Sequence, residues 1–396
     1  MRMKALVMVL GWMGAQAGAG AAGFALIEQN ASGLGNAFAG QGASAQDAST
    51  VFFNPAGLLR IEGSQVAMAG HLISTSGKFK NDGSTLGVLG DGGDAGGFAF
   101  LPNFYYAGDV RPGFKWGIGV NAPFGLKTEY DTPWAGQTQG VTSHIKTINV
   151  NPSIAWLYND KVSVGMGINY QMAEVSLSNS VTAPAVNVLK MKGDDDAWGY
   201  NLGMLIKLDN NTRLGLAYRS ELKYHLTGRA TGPINGAIAA DLTTPASASL
   251  SLFHRLNERW DLLADLSWTG WSSFDKLAVT GAVNALVPEN WNDILRVGVG
   301  ANYRQNDKWL WRVGTAYDQN AVPDAERRTV RLPDADRIWL AFGGQYKMSD
   351  KGWVDFGYAH LFFNEAAIDH VEPPIRVKGR FDSHVDIVSA QYTHTF

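Results

Sequence analysis

The stretch Ala22–Leu58, AGFALIEQNASGLGNAFAGQGASAQDASTVFFNPAGL, decides the reading of this chain. It is built from glycine, alanine and serine and punctuated by Phe38, Phe52 and Phe53. It is too apolar for a solvated linker. It is also too rich in glycine for a regular strand or helix, whose interiors glycine weakens. A compact plug held inside something larger suits it. It lies between an apolar leader and a long run of strand patterns, and these neighbours say what that larger structure is.

The leader has a short basic start (Arg2, Lys4), an apolar run over Ala5–Gly14 and a small-residue site at Ala19-Gly20-Ala21. That is the layout of a secretory signal peptide over residues 1–21, with the mature chain starting at Ala22. The apolar run is half the ~20 residues a helix needs to cross a bilayer. The sequence holds no cysteine, so there is no disulfide framework and no cysteine-held metal. A net charge of −3 argues against a nucleic-acid partner. Charged residues are 17%, against about a quarter in soluble domains. No later segment is apolar over 18 consecutive residues, which excludes a helical membrane protein. An exported chain rich in aromatics and glycine can still span a membrane as a β-barrel.

The strand patterns point the same way. Val162, Val164, Met166, Ile168, Tyr170 and Met172 alternate with Ser163, Gly165, Gly167, Asn169 and Gln171. Ile148, Val150, Ile154, Trp156 and Tyr158 alternate with polar or small residues, and so do Leu214, Leu216, Tyr218, Leu222 and Tyr224. A soluble antiparallel sheet shows this alternation too. Aromatics at strand ends favour the membrane barrel, as at Trp156/Tyr158, Trp309/Trp311 and Tyr346/Trp353. So does strand length, since soluble strands average about five or six residues. Short polar turns fall at 109–113, 159–160, 209–211, 257–258, 305–307 and 349–350. Longer connections span 81–97, 122–142, 181–193, 229–244, 277–289, 320–333 and 365–379. Six tight turns and seven long loops predict an all-β, 14-stranded antiparallel transmembrane barrel over residues 64–396, with residues 22–63 as a hatch in its lumen. Tight turns belong on the periplasmic side. Pro152 inside a strand predicts a local bulge.

Several segments resemble the FadL family of outer-membrane long-chain fatty-acid transporters. They include Gly23-Phe24, the run Ser32–Gly40 and the turn Asn54-Pro55-Ala56-Gly57. Asn121–Tyr130, Lys146–Ser153, Trp268–Phe274, Asp336–Trp339 and Gly357–His360 then follow in the family's order. The resemblance covers essentially the whole mature chain. It implies a monomeric fourteen-strand barrel in the Gram-negative outer membrane, inserted by the barrel-assembly machinery and surrounded by outer-membrane lipid. The implied cargo is a long-chain fatty acid or another hydrophobic small molecule, with aromatic hydrocarbons as the alternative. No cofactor, metal or catalytic residue is implied.

Candidate site residues come from the residues and the resemblance together. Val186, Val188 and Leu189 in one outer loop and Ile234, Ile238 and Leu242 in the next form apolar clusters, a mark of an interaction surface. The resemblance makes Asn54, Pro55 and Ala56 the hatch gate, facing a distorted third strand. It places a lateral wall opening at Gly117, Gly119, Pro123 and Phe124. By alternation the lumen holds Arg213, Arg219, Glu221, Lys223, Asp265, Arg296, Arg312, Arg337 and Asp355. These suit a salt-bridge network that braces the hatch, and one Arg or Lys suits a carboxylate. A diffusion porin and an outer-membrane lipid hydrolase are the other function classes. A plug argues against the first. His144, His225 and His360 sit in no nucleophile motif, which argues against the second.

Overall fold

The structure is a computed structural model that describes residues 23–396; the signal-peptide reading of residues 1–21 lies outside them. Twenty strand segments form one antiparallel sheet. The first part of the wall is β1 (Gln65–Asn81), β2 (Gly97–Arg111), β3 (Phe114–Asn121), β4 (Gly125–Glu129), β5 (Thr142–Asn159), β6 (Val162–Ser180) and β7 (Val188–Lys207). It continues as β8 (Thr212–Arg219), β9 (Leu222–Thr231), β10 (Gly236–Thr244), β11 (Ser247–Arg255), β12 (Trp260–Thr269), β13 (Lys276–Gly281), β14 (Ala285–Pro288) and β15 (Ile294–Arg304). It ends with β16 (Trp309–Asp318), β17 (Arg337–Lys347), β18 (Gly352–Phe363), β19 (Ala366–Glu372) and β20 (Ile375–Thr395). Six strands are interrupted once, so the twenty segments compose fourteen wall strands. β1 pairs with β20 from Gln65↔Thr395 to Asn81↔Gly379 and closes the ring.

The wall is apolar outside and polar inside. Met68, Leu72, Phe104, Ile168, Val388 and Tyr392 are exposed on its outer surface. Ser163, Asn169 and Gln171, one residue out of phase on β6, are buried inside. Trp309 stacks on Trp311 with ring centroids 5.2 Å apart and touches Tyr346 at 4.8 Å, beside the short turns. This is the aromatic girdle of a membrane barrel.

Three readings from the sequence are corrected. Most of 229–244, 277–289 and 365–379 is not loop: these spans are strand continuing above the barrel, in β9–β10, β13–β14 and β19–β20. Pro152 makes no bulge. The β5–β6 register is unchanged from Val150↔Tyr170 to Ser153↔Gly167. Asn151 Nδ2 donates to the Ile168 carbonyl at 2.9 Å and replaces the N–H that proline lacks. Glu221 and Lys223 do not enter the lumen; they form an exposed ion pair at 3.0 Å. The two-residue break at Ser220–Glu221 reverses the parity of the strand. Leu222 and Tyr224 therefore turn inward and are buried.

Gly23–Ser64 fill the lumen as α1 (Ala31–Leu34), α2 (Gln41–Ser44), α3 (Thr50–Phe53), a 3₁₀ turn over Pro55–Arg60 and irregular links. Helices of four residues leave most of their backbone groups unpaired, and buried carbonyls need partners. The wall supplies them. Arg213 donates to the carbonyls of Ala43 and Ser44, both at 3.1 Å. Arg219 donates to Phe52 at 3.1 Å, Arg296 to Ala37 and Lys115 to Gly63 at 2.8 Å. Inward-facing glycines let hatch backbone touch wall backbone. A Cβ on Gly215 would lie 2.0 Å from the Gly42 carbonyl oxygen. Arg312–Asp355 at 2.7 Å and Arg337–Asp334 at 2.8 Å are fully buried pairs in the same lumen.

Candidate functional site

Among the described residues the wall has a slit that its own strands do not close. β3 pairs with β2 only as far as Phe104↔Val120. The chain then turns through Ala122–Phe124 and resumes as β4, which pairs with β5. β2 runs on through Phe98–Asn103 beside β1, leaving a gap toward β4. Hatch residues Phe24–Gln29 occupy that gap. Ala25 bridges Phe124; Leu26 N donates to Pro123 O at 2.7 Å and Gly125 N donates to Phe24 O at 2.9 Å. Gln29 Nε2 donates to Ala122 O at 3.1 Å, and Asn103 Nδ2 donates to Glu28 O at 2.9 Å. Thr147 Oγ1 satisfies both backbone groups of Phe124, at 3.0 and 2.7 Å. Leu26 packs on Leu101 and Ala122. Bare backbone at membrane depth costs several kcal/mol per group, so the slit is tolerable only while it is filled.

The structure sorts the expected opening and gate residues. Pro123 and Phe124 lie in the break. Gly117 and Gly119 lie in the regular ladder between β2 and β5. A Cβ on Gly117 would meet Val51 and Leu58 of the hatch, and one on Gly119 would meet the Tyr105 ring. The turn Asn54-Pro55-Ala56 does not face the third strand. Asn54 Nδ2 donates to Gly42 O at 2.6 Å and Met204 O at 3.0 Å, and Ser163 Oγ donates to Ala56 O at 3.2 Å. The turn thus sits on β6 and β7. Gly165 and Gly203 make the dent there: a Cβ on Gly203 would lie 2.1 Å from Asn54 Oδ1. The segment at the slit, Phe24–Gln29, was missed as a site. Its signal in the sequence is Phe24, Leu26 and Glu28 at alternate positions directly ahead of the glycine-rich run.

The outer-loop residues divide into three groups. Val186, Val188 and Ile234 are exposed at the hairpin tips. Leu189 is buried with Met191, and half-buried Ile238 packs against them. Leu242 belongs to a deeper cluster centred on Phe24, which lies 4.7 Å from Trp271, 5.9 Å from Phe274 and 6.0 Å from both Phe124 and Trp291. Below that cluster is a cavity of about 170 Å³ lined by Leu26, Ile27, Phe38, Phe52, Phe53 and Phe124 with Arg219, Asp265 and Arg296. Arg296 is 6% exposed, and its Nε and Nη1 have no hydrogen-bond partner. Arg219 is committed to Asn169 and Phe52 O and stacks over the Phe52 ring at 4.4 Å.

A closed barrel with an apolar exterior, a plugged polar lumen and short turns at one end defines an outer-membrane transport barrel. The family model described as "Outer membrane protein transport protein (OMPP1/FadL/TodX)" matches residues 13–396, and the chain belongs to that family. It is a multi-pass protein of the outer membrane and serves transport of hydrophobic compounds. It is 28% identical over 392 residues to the long-chain fatty acid transport protein of Escherichia coli (strain K12), covering 86% of this chain and 87% of that protein. It is 30% identical over 402 residues to outer membrane protein P1 of Haemophilus influenzae, covering 88% and 87%. The structure is similar to a Pseudomonas aeruginosa FadL homologue, with TM-score 0.89 and 25% identity over 95% of this chain and 100% of that one. It shares its fold with the Pseudomonas putida toluene transporter TodX, with TM-score 0.70 and 18% identity over 88% and 94%.

Proposed function

We propose that this protein carries long-chain fatty acids across the outer membrane and releases them sideways into the bilayer. The observation that carries the reading is Arg296, a buried guanidinium with two uncommitted donors in a cavity that it shares with Phe38, Phe52, Phe53 and Phe124 and with Arg219, Asp265 and Asp318. A carboxylate accepts strongly from such charged donors, one oxygen to each N–H. The name of the Escherichia coli relative supports the same cargo. Ligand is captured at Val186, Val188 and Ile234, passes the Phe24 cluster and lodges its head at Arg296. Withdrawal of Phe24–Gln29 then opens the slit between β2 and β4. The Asn54–Ala56 turn contributes by fixing the hatch to β6 and β7 while its N-terminal segment moves.

Energetics favour the lateral exit. Each methylene costs about 0.8 kcal/mol to place in water, so a sixteen-carbon chain released into the periplasm faces on the order of 10 kcal/mol. Passage from an apolar cavity into lipid avoids that cost. A second reading, aromatic hydrocarbon, rests on cavity size. About 170 Å³ resembles the ~150 Å³ engineered cavity that binds benzene, so a long chain needs the hatch to yield further.

The test is uptake of oleate and of toluene by cells lacking other transporters of this family, with wild type and Arg296→Met. Acid uptake is expected to fall roughly tenfold in the variant, the loss of a charge-assisted bond, with toluene uptake unchanged. Toluene uptake without oleate uptake in the wild type would select the second reading. Solute swelling of liposomes and ester hydrolysis assays complete the set, against porin and hydrolase.

A further inference from the structure

At the periplasmic end the hatch does not fill the barrel. A cavity of about 410 Å³ lies between Ser44–Gln46 and Arg60 of the hatch and the short-turn ends of β8, β11, β15, β16 and β17. Arg60, Arg213, Arg255, Arg304, Arg312 and Lys347 line it. Three of these have a carboxylate of their own. Arg304 grips Asp261 through two nitrogens, Arg312 holds Asp355 at 2.7 Å and Lys347 holds Asp350 at 2.9 Å.

The other three converge without one. Arg255 reaches only Asp261, already engaged, at 3.7 Å. Arg213 is 9% exposed, covers the Phe253 ring at 3.9 Å and donates to hatch carbonyls alone. Arg60 stands exposed on the hatch side and forms no ion pair among the described residues. Ser44, 4% exposed, also lines the cavity, and its hydroxyl has no hydrogen-bond partner.

Of these three arginines only Arg213 bonds the hatch backbone. Adding Arg60 and Arg255 around one partly enclosed space brings three like charges together, which is unfavourable unless an anion joins them. Guanidinium forks match the geometry of phosphate and carboxylate oxygens. The free Ser44 hydroxyl adds a further donor, and the volume admits such a head group with water.

We propose that this cavity is an oxyanion site, which takes a phosphate or carboxylate group from the periplasmic side between Arg60, Arg213 and Arg255. The bound anion ties hatch to wall, because Arg60 belongs to one and Arg255 to the other. The site is independent of the transported ligand and of Arg296.

The test uses the full mature chain in non-ionic detergent at low ionic strength, titrated with inorganic phosphate and followed by ³¹P NMR. Wild type is expected to show saturable binding that weakens as chloride is raised. The double variant Arg60→Ala/Arg255→Ala, at two exposed positions, is expected to lose roughly tenfold or more in affinity, as removal of two charge-assisted contacts requires. Lys161→Ala, at another short turn, leaves binding unchanged. Retained heat-modifiable gel mobility shows that the barrel is intact. A second arm titrates soluble dihexanoyl phosphatidic acid. Tighter binding than phosphate identifies a lipid head group as the ligand, and equal binding identifies the free ion. Absence of saturable binding of either probe at tens of millimolar, or equal affinity in the double variant, overturns the proposal.

Discussion

Two walls of this barrel break at matching heights and close by different means. β3 stops eight residues above its short turn, and so does β8. On the β8 side the partner breaks too. The ladder ends at Arg219↔Ser247 and restarts at Leu222↔Thr244 in the same register. Ser220 N donates to Tyr200 O at 2.9 Å and keeps the edge joined. On the β3 side the partner β2 runs straight on, so a slit remains that only the hatch fills. A break shared by both strands of a pair reorients side chains and keeps the wall sealed. A break in one strand alone makes a seam that can open.

The largest expected effect comes from locking the seam. Ala25 and Phe124 form a bridge whose flanking bonds mark a non-hydrogen-bonded pair. Such pairs have Cα atoms about 4.5 Å apart, within disulfide reach. With Ala25→Cys and Phe124→Cys, oxidation is expected to cut fatty-acid uptake at least tenfold and reduction to restore it. The same crosslink between Leu222→Cys and Thr244→Cys, across the other break, leaves uptake unchanged. Full uptake with the first disulfide verified as formed would move the exit away from the seam.

Next comes the seat of the hatch on β8. Gly215→Val puts carbon where the Gly42 carbonyl now lies. Overpacking of this kind costs about 1–3 kcal/mol, enough to unseat the hatch while the outer face of β8 stays as it is. Raised single-channel conductance with normal heat-modifiable mobility is the expected pair of results. Unchanged conductance would show that the hatch accommodates the added carbon.

Phe24→Ala acts on the seam from within. It removes the centre of the outer aromatic cluster, where a Phe→Ala change costs about 3–5 kcal/mol in a well-packed core. Hydrogen exchange at the amides of Leu26 and Gly125 is expected to quicken by tenfold or more, with Ser220 unaffected. Equal acceleration at both breaks would erase the distinction between them.

The smallest effect is a pH response above the seam. Glu289, between β14 and β15, accepts from Trp291 Nε1 at 3.0 Å, and burial raises its carboxyl to about 7. The folded value lies above the ordinary ~4.3, so the protonated form is the stabilising one. Its contribution is full at acid pH and is lost as pH rises through about 7. His370, Glu372 and Arg331 also act on this group. Tryptophan emission should therefore shift across that range, and Glu289→Gln should flatten the shift. A shift that survives in Glu289→Gln would assign it to His370.

Much of this architecture is legible in the chain. Alternation with period two, tight polar turns and a glycine-rich segment ahead of the strands specify a fourteen-strand plugged barrel, because each reports a local requirement of backbone geometry. The site is less legible. Alternation holds only while a strand is unbroken, so Glu221 and Lys223 read as lumenal and lie outside. Glycines read as an opening at Gly117 and Gly119 instead make room for hatch side chains and for Tyr105.

The sequence by itself determined the class of fold, the membrane-facing surface and the existence of a plug, since hydrophobic periodicity and turn chemistry act over a few residues. Only the tertiary structure decided which part of the plug meets which part of the wall. Phe24–Gln29, not Asn54–Ala56, fills the seam, because Ala122–Phe124 has backbone groups left over and Gly165 and Gly203 have room. Those pairings join residues about a hundred positions or more apart. They follow from the need to satisfy every buried backbone group at once, which no local pattern records.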